Sequence, residues 1–170
     1  MEKKYQRALA TLLARLRKNN IQQSGLKKEL IPPTKVDAYR VAHLVEQELG
    51  WTVNGWKIAA TNIEMRQALR TDTPIYGRVY SQFIKESPFT VDFDGLSSPI
   101  PEAEYQVFLG KDLPPSVDTY NIKEVADAVS SMHPGLELAE CRFKHDKRFP
   151  PLEAILADGA GSGTLVYGPA

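Results

Sequence analysis

Glu102 and Glu104 stand two residues apart in the stretch Pro101-Glu102-Ala103-Glu104-Tyr105-Gln106-Val107-Phe108-Leu109, and Glu137 stands in Pro134-Gly135-Leu136-Glu137-Leu138-Ala139. Both stretches have strand patterning. Residues at i and i+2 of a strand share a face, so Glu102 and Glu104 point the same way, and a second strand would bring Glu137 to them. Buried carboxylates are costly unless they are paired. Three together repel one another unless protons or a cation intervene, and a hard divalent ion held by oxygen ligands is the simplest answer. The competing reading makes Glu102 and Glu104 a solvated outer face, with Tyr105, Val107 and Leu109 turned inward. Glu137 resists that reading, because Gly135 and Ala139 on its own side leave space beside the carboxylate.

Lys57 lies inside the apolar run Trp56-Lys57-Ile58-Ala59-Ala60. It is either a lysine snorkelling from an edge strand or a partly buried ammonium facing the carboxylates. In the second case it would hold a substrate carboxylate or move a proton. The loop Ala157-Asp158-Gly159-Ala160-Gly161-Ser162-Gly163 reads as a tight turn, with a phosphate cradle the weaker alternative because the spacing is not a Walker pattern. His43, His133 and His145 lack metal-ligand spacing, and His133 reads as a helix cap. Cys141, the single cysteine, sits in a strand-like run with no nearby histidine base and reads as a buried, inert thiol.

These groups need a scaffold, and 170 residues suffice for one domain with a core. Lys plus Arg and Asp plus Glu are both 21, so no net charge directs the chain to nucleic acid or a membrane surface. The basic runs, such as Arg15-Leu16-Arg17-Lys18, read as solvated faces. No apolar run approaches a membrane span, the start lacks a signal-peptide core, and one cysteine suits a reducing compartment, so the expected location is cytoplasmic.

Helical spacing predicts a helix from about Lys3 to Lys18. A second helix is predicted after the N-cap Thr34, with Val36, Tyr39, Val41, Leu44, Val45 and Leu49 on its apolar side and Gly50 at its end. A strand over 55–60 then runs into a short helix through Leu69, started by a capping-box pattern at Thr61–Glu64. Thr73–Gly77 reads as a turn or loop, Val79-Tyr80 and Phe89–Phe93 as strand pieces, and Asp94-Gly95 as a hairpin turn. Strands are expected over 104–109, 136–143 and 164–167. A helix capped by Asn121 and Glu124 ends at His133-Pro134-Gly135, and Pro150-Pro151 opens another helical turn through Leu156. Helices first, then strands with interspersed helices, is an α+β order. We expect an N-terminal helical segment, 1–50, and a metal-binding mixed β/α core, 51–170, in one domain.

As a set, Gly55-Trp56-Lys57-Ile58-Ala59-Ala60-Thr61, Tyr76-Gly77-Arg78, Glu102-Ala103-Glu104-Tyr105, Gly110-Lys111-Asp112-Leu113-Pro114, His133-Pro134-Gly135-Leu136-Glu137 and Ala157-Asp158-Gly159-Ala160 occur in a telling order. The chain resembles the fumarylacetoacetate hydrolase family, in its 2-keto-4-pentenoate hydratase and 4-oxalocrotonate decarboxylase branch. The resemblance implies a mixed β-roll with N-terminal helices, C-terminally incomplete because relatives continue past Gly168-Pro169. It implies Mg²⁺, or Mn²⁺, on Glu102, Glu104 and Glu137, with Lys57 as catalytic and substrate-binding group and Ser162 as a substrate contact. The implied protein is a homo-oligomeric carbon–oxygen lyase acting on small 2-oxo acids in aromatic-compound catabolism, with no nucleic-acid or membrane partner. Ile75 stands where many hydratases carry an acidic residue, which favours the decarboxylase alternative, and a truncated, non-catalytic relic is the third expectation.

Overall fold

The computed structural model describes residues 1–170. Its elements are α1 (Lys3–Lys18), α2 (Lys35–Leu49), β1 (Val53–Ala59), α3 (Ile63–Ala68), β2 (Ile75–Tyr80), β3 (Ile84–Glu86), β4 (Ile100–Leu109), α4 (Ile122–Ala128), β5 (Val129–Ala139), α5 (Leu152–Ala157) and β6 (Thr164–Tyr167), with short 3-10 turns between some of them. Helices and two sheets, one of them mixed, give the expected α+β architecture. No helix is long and apolar enough to cross a membrane.

α1 and α2 form where helical spacing predicts them. The Thr34 hydroxyl accepts the Asp37 N–H, and Gly50 closes α2 in the left-handed conformation that a side chain disfavours. The buried side of α2 differs from expectation: Val36 is exposed, while Asp37 and Ala38 are buried with Val41, Val45 and Leu49. Asp37 pairs with the N-terminal amine at 3.2 Å, which is why a carboxylate fits there. The core lies between α1, α2 and α5, built from Leu9, Leu13, Val41, Val45, Phe143 and Leu156 among others.

β1 and β2 form a separate antiparallel pair with Lys57 opposite Gly77. Thr73–Gly77 is therefore not simply a loop, because Ile75–Gly77 begins β2. The second sheet has the order β3-β6-β5-β4, with β3 parallel to β6 and the other pairs antiparallel. Phe89–Phe93 is not a strand, and Asp94-Gly95 belongs to a 3-10 turn capped by Asp92 rather than to a hairpin. α3 is capped by Asn62, one residue later than the expected Thr61.

His133 is no helix cap. α4 ends at Ala128, and the chain turns directly into β5, so His133-Pro134-Gly135 lies inside a strand. Pro134 is tolerated in this central strand for a geometric reason. Its carbonyl accepts Gly168 N–H on the β6 side, and paired β6 ends one position away, at the Tyr167–Gly135 pair. The missing N–H therefore faces a ladder that has already finished.

Candidate metal centre

The register of β4 and β5 builds the site. Glu102 pairs with Glu137, Glu104 with Gly135, and Gln106 with His133, so these residues share one face of the sheet. One carboxylate oxygen from each of Glu102, Glu104 and Glu137 lies within 4.8 Å of the others. Ligands on opposite sides of a bound Mg²⁺ stand about 4.2 Å apart, and of Ca²⁺ about 5 Å. The spacing thus fits a hard cation with small side-chain adjustments. Tyr105, Val107 and Leu109 face outward and are exposed, so the reading that turned them inward fails.

Glu137 is the anchor. It is fully buried, and its Oε1 accepts the Gly163 N–H at 3.0 Å. A side chain at residue 163 would collide with the Leu138 carbonyl, 1.8 Å from an added Cβ, so glycine lets the start of β6 press against β5 and deliver that N–H. The other oxygen, Oε2, is buried without a hydrogen-bond donor. Lys57 Nζ stands 3.1 Å from it as an ion pair whose geometry falls short of a hydrogen bond. A fully buried carboxylate with one oxygen fixed by an amide and the other facing only the lysine ammonium, beside two further carboxylates, is a donor set suited to a divalent cation.

Lys57 does not snorkel. Its side chain is 3% exposed, while Trp56 and Ile58 point outward. β1 alternates, and Lys57 takes the inward position. The backbone of β2 makes that position possible. An added Cβ on Gly77, opposite Lys57, would lie 1.9 Å from the Gly159 carbonyl, so β2 rests directly on the glycine-rich turn. Nζ also lies 3.5 Å from Glu102. Burial disfavours the ammonium, but the charges of Glu137, Glu102 and Glu104 and the contact with Glu137 outweigh it and hold the Lys57 pKa above its ordinary value. Burial, then the Glu137 and Glu102 charges, push the Glu104 carboxyl up against the pull of Lys57.

Ser162 is buried, and its hydroxyl donates to the Arg78 carbonyl at 2.8 Å. The hydroxyl serves β2, and it is the next residue's amide that reaches the carboxylates. The loop is a turn held from below by arginines. Arg17 donates to the Asp158 carbonyl at 2.8 Å and the Ser162 carbonyl at 3.2 Å, and Arg142 Nε to Asp158 Oδ2 at 3.2 Å. Arg17 is buried, which corrects the reading of its basic run as a solvated face. Gly163 and Arg17 carry no local signal of these roles, since both depend on contacts across long stretches of chain.

No protein-family profile matches the chain. The chain is 31% identical over 145 residues to 2-keto-4-pentenoate hydratase of Paraburkholderia xenovorans LB400, covering 83% of this chain and 52% of that protein. It is 27% identical over 146 residues to the TodF product hydratase of Pseudomonas putida F1, covering 83% and 53%. Among solved structures, 4-oxalocrotonate decarboxylase from Pseudomonas putida G7 complexed with magnesium and adipate superposes with a TM-score of 0.86 at 23% identity, over 99% of this chain and 64% of that one. The same decarboxylase complexed with calcium and acetate gives 0.84 at 22%. The chain spans about half the length of the curated relatives it matches. The resemblance read from the motifs is thus supported by both sequence and fold.

Proposed function

We propose, taking the chain as a sequence relative of the 2-keto-4-pentenoate hydratases with the fold of 4-oxalocrotonate decarboxylase, that it is a metal-dependent carbon–oxygen lyase. Its substrates would be 2-hydroxy-dienoates and 2-oxo-enoates, handled in the cytoplasm during aromatic-compound catabolism. One observation carries this reading: three carboxylates, one of them fully buried, converge within 4.8 Å of one another beside a buried ammonium 3.1 Å from Glu137 Oε2. Glu102, Glu104 and Glu137 would hold Mg²⁺ or Mn²⁺. When bound, the cation supplies Lewis-acid polarisation of a 2-oxo group. The Gly163 N–H fixes the Glu137 carboxylate, so this ligand is set before anything binds. Lys57 holds a proton at Nζ in a water-poor position and is placed to bind a substrate carboxylate or pass that proton. Ser162 would support the substrate pocket through its turn. The helical segment 1–50 and the core 51–170 would act as one domain, a view supported by Arg17 of α1 bonding the turn at Asp158. Homo-oligomerisation is supported by the exposed apolar residues Tyr105, Val107, Met132 and Leu136 on the outer side of β4 and β5.

Decarboxylation is the second reading. Ile75 is buried at 4% exposure and offers no acid or base at the position where many hydratases are expected to carry one. Thermal unfolding with Mg²⁺ or Mn²⁺, with and without oxalate as a 2-oxo acid mimic, tests the site, because a ligand of the folded state raises the melting temperature. Loss of dienoate absorbance without carbon dioxide release assigns hydration, and release assigns decarboxylation. Metal and oxalate binding without turnover leaves a binding relic. No shift over a wide range of either ion removes the metal centre.

A further inference from the structure

One peptide unit joins α1 to the carboxylates. The Gly163 N–H donates to Glu137 Oε1 at 3.0 Å, and the carbonyl of the same peptide, that of Ser162, accepts from Arg17 at 3.2 Å and from Arg142 at 3.5 Å. The only cis bond in the chain is Ser87-Pro88, so this peptide is trans, and its C=O and N–H point in opposite directions. The guanidinium groups therefore stand on one side of the peptide and the buried carboxylate on the other. A carbonyl that accepts from a charged donor makes the N–H of its own peptide a stronger donor.

The turn needs that support. Gly159, Ala160 and Gly161 all have positive φ, at 89°, 56° and 76°, a conformation that alanine disfavours. Arg17 spans the turn, because its second donor bonds the Asp158 carbonyl at 2.8 Å. Burial and the neighbouring Arg142 charge both disfavour the Arg17 guanidinium, against the pull of Asp158 and Glu140. A buried cation kept at such cost calls for a role beyond filling the core. The structure assigns Arg17 that role: it is the positioning residue that holds and polarises the 162–163 peptide, and through it aims the Glu137 carboxylate at the cation. A carboxylate fixed by one oxygen keeps the other aimed, so less order is lost when the ion binds. The inference rests on the metal-centre reading and extends the centre to a side chain in α1, on the far side of that peptide from the carboxylate.

Two measurements test it on the whole chain. In proton–nitrogen NMR spectra of the metal-free protein, Arg17→Met moves the Gly163 amide proton upfield and leaves that of Gly50, at the end of α2, in place. In Mg²⁺ titrations followed by calorimetry, Arg17→Met weakens binding about tenfold, the usual loss when a group supporting a metal ligand is removed. Val41→Ala serves as the control. It removes fully buried packing in α2 and no hydrogen bond, so it lowers the melting temperature while Mg²⁺ affinity stays within about twofold. Arg17→Lys keeps the charge in a less crowded shape and gives intermediate values of both readouts, and it decides the matter if Arg17→Met does not fold. Millimolar guanidinium added to Arg17→Ala restores Mg²⁺ affinity, and sodium at the same ionic strength does not. An unmoved Gly163 amide, or unchanged Mg²⁺ affinity in a folded Arg17 variant, overturns the assignment. So does a Val41→Ala variant that loses Mg²⁺ affinity as much as Arg17→Met. Failure of the unaltered protein to bind Mg²⁺ or Mn²⁺ overturns the metal-centre reading instead, and the amide shift then shows by itself whether Arg17 sets Glu137.

Discussion

Glu104→Gln separates a metal centre from a solvated acidic face by the sign of its effect. In the metal-free protein, Glu104 sits with Glu102 and Glu137 inside a 4.8 Å cluster, and one ammonium, Lys57, faces the three. Two unit charges at that separation repel by about 3.5 kcal/mol at an effective dielectric of 20. Glu104 is only partly buried, so water screens most of this, and the attraction of Lys57 offsets part of the rest. About 1 kcal/mol of net relief remains when the charge is removed at constant shape. For a chain of this length that raises the melting temperature by about 2–4 °C. With Mg²⁺ at a hundred times its dissociation constant, the unaltered protein gains about 2.7 kcal/mol, or roughly 5–11 °C, and the variant gains little. The order of the two melting temperatures therefore reverses between EDTA and Mg²⁺. Differential scanning calorimetry in both buffers measures it. On a solvated face the substitution would change stability by less than about 0.5 kcal/mol under both conditions. Parallel curves without a crossing refute the reasoning.

Three further outcomes follow from the packing. Burial, with the Asp158 charge adding to it, pushes the Cys141 thiol up to about 12, so alkylation by iodoacetamide at pH 8 runs about 10³-fold slower than for a free cysteine and keeps rising beyond pH 10; a rate that levels off below pH 10 contradicts this. The Thr34 hydroxyl, the N-terminal amine and Arg40 hold the Asp37 carboxyl below its ordinary value against the opposing effect of burial. Asp37 therefore contributes stability that is present above the unfolded-state pKa and is lost as pH falls through the folded one; Asp37→Asn flattens the acid limb of the stability–pH curve, and identical limbs would count against the pairing. Gly77→Ala drives a methyl group into the Gly159 carbonyl and costs about 3 kcal/mol in urea unfolding, whereas a cost under about 0.5 kcal/mol would show that β2 does not rest on the turn.

What the sequence disclosed was chemistry that completes itself within a few residues. The Thr34 cap, the Gly50 stop and the reciprocal bonds of Asn121 and Glu124 are three-residue or single-residue devices, and each is found where it was expected. The Glu102–Glu104 spacing also survives, because strand parity is local. The start of β2 was hidden by Pro74 and Gly77, which signal a turn until one knows that Gly77 is there for the approach of Gly159, while Val79-Tyr80 at its end was read as strand. The first half of β5, before Leu136, was hidden by Pro134, whose missing N–H is harmless only because β6 ends beside it. Arg17 reads as surface charge because its acceptors, the Asp158 and Ser162 carbonyls, lie at the other end of the chain. Gln106 passed for an ordinary strand residue because nothing in one strand shows that its amide lacks a partner.

β6 follows β5 in sequence, yet it lies between β3 and β5. During synthesis the helices and the antiparallel β4–β5 pair leave the ribosome before it does. Until Gly163 emerges, Glu137 has no amide on its Oε1, and β3 has no neighbour to join. A nascent chain stalled short of that glycine carries the acidic β4–β5 pair and an unpaired three-residue β3, and the amide that fixes Glu137 is the part of the centre that arrives last.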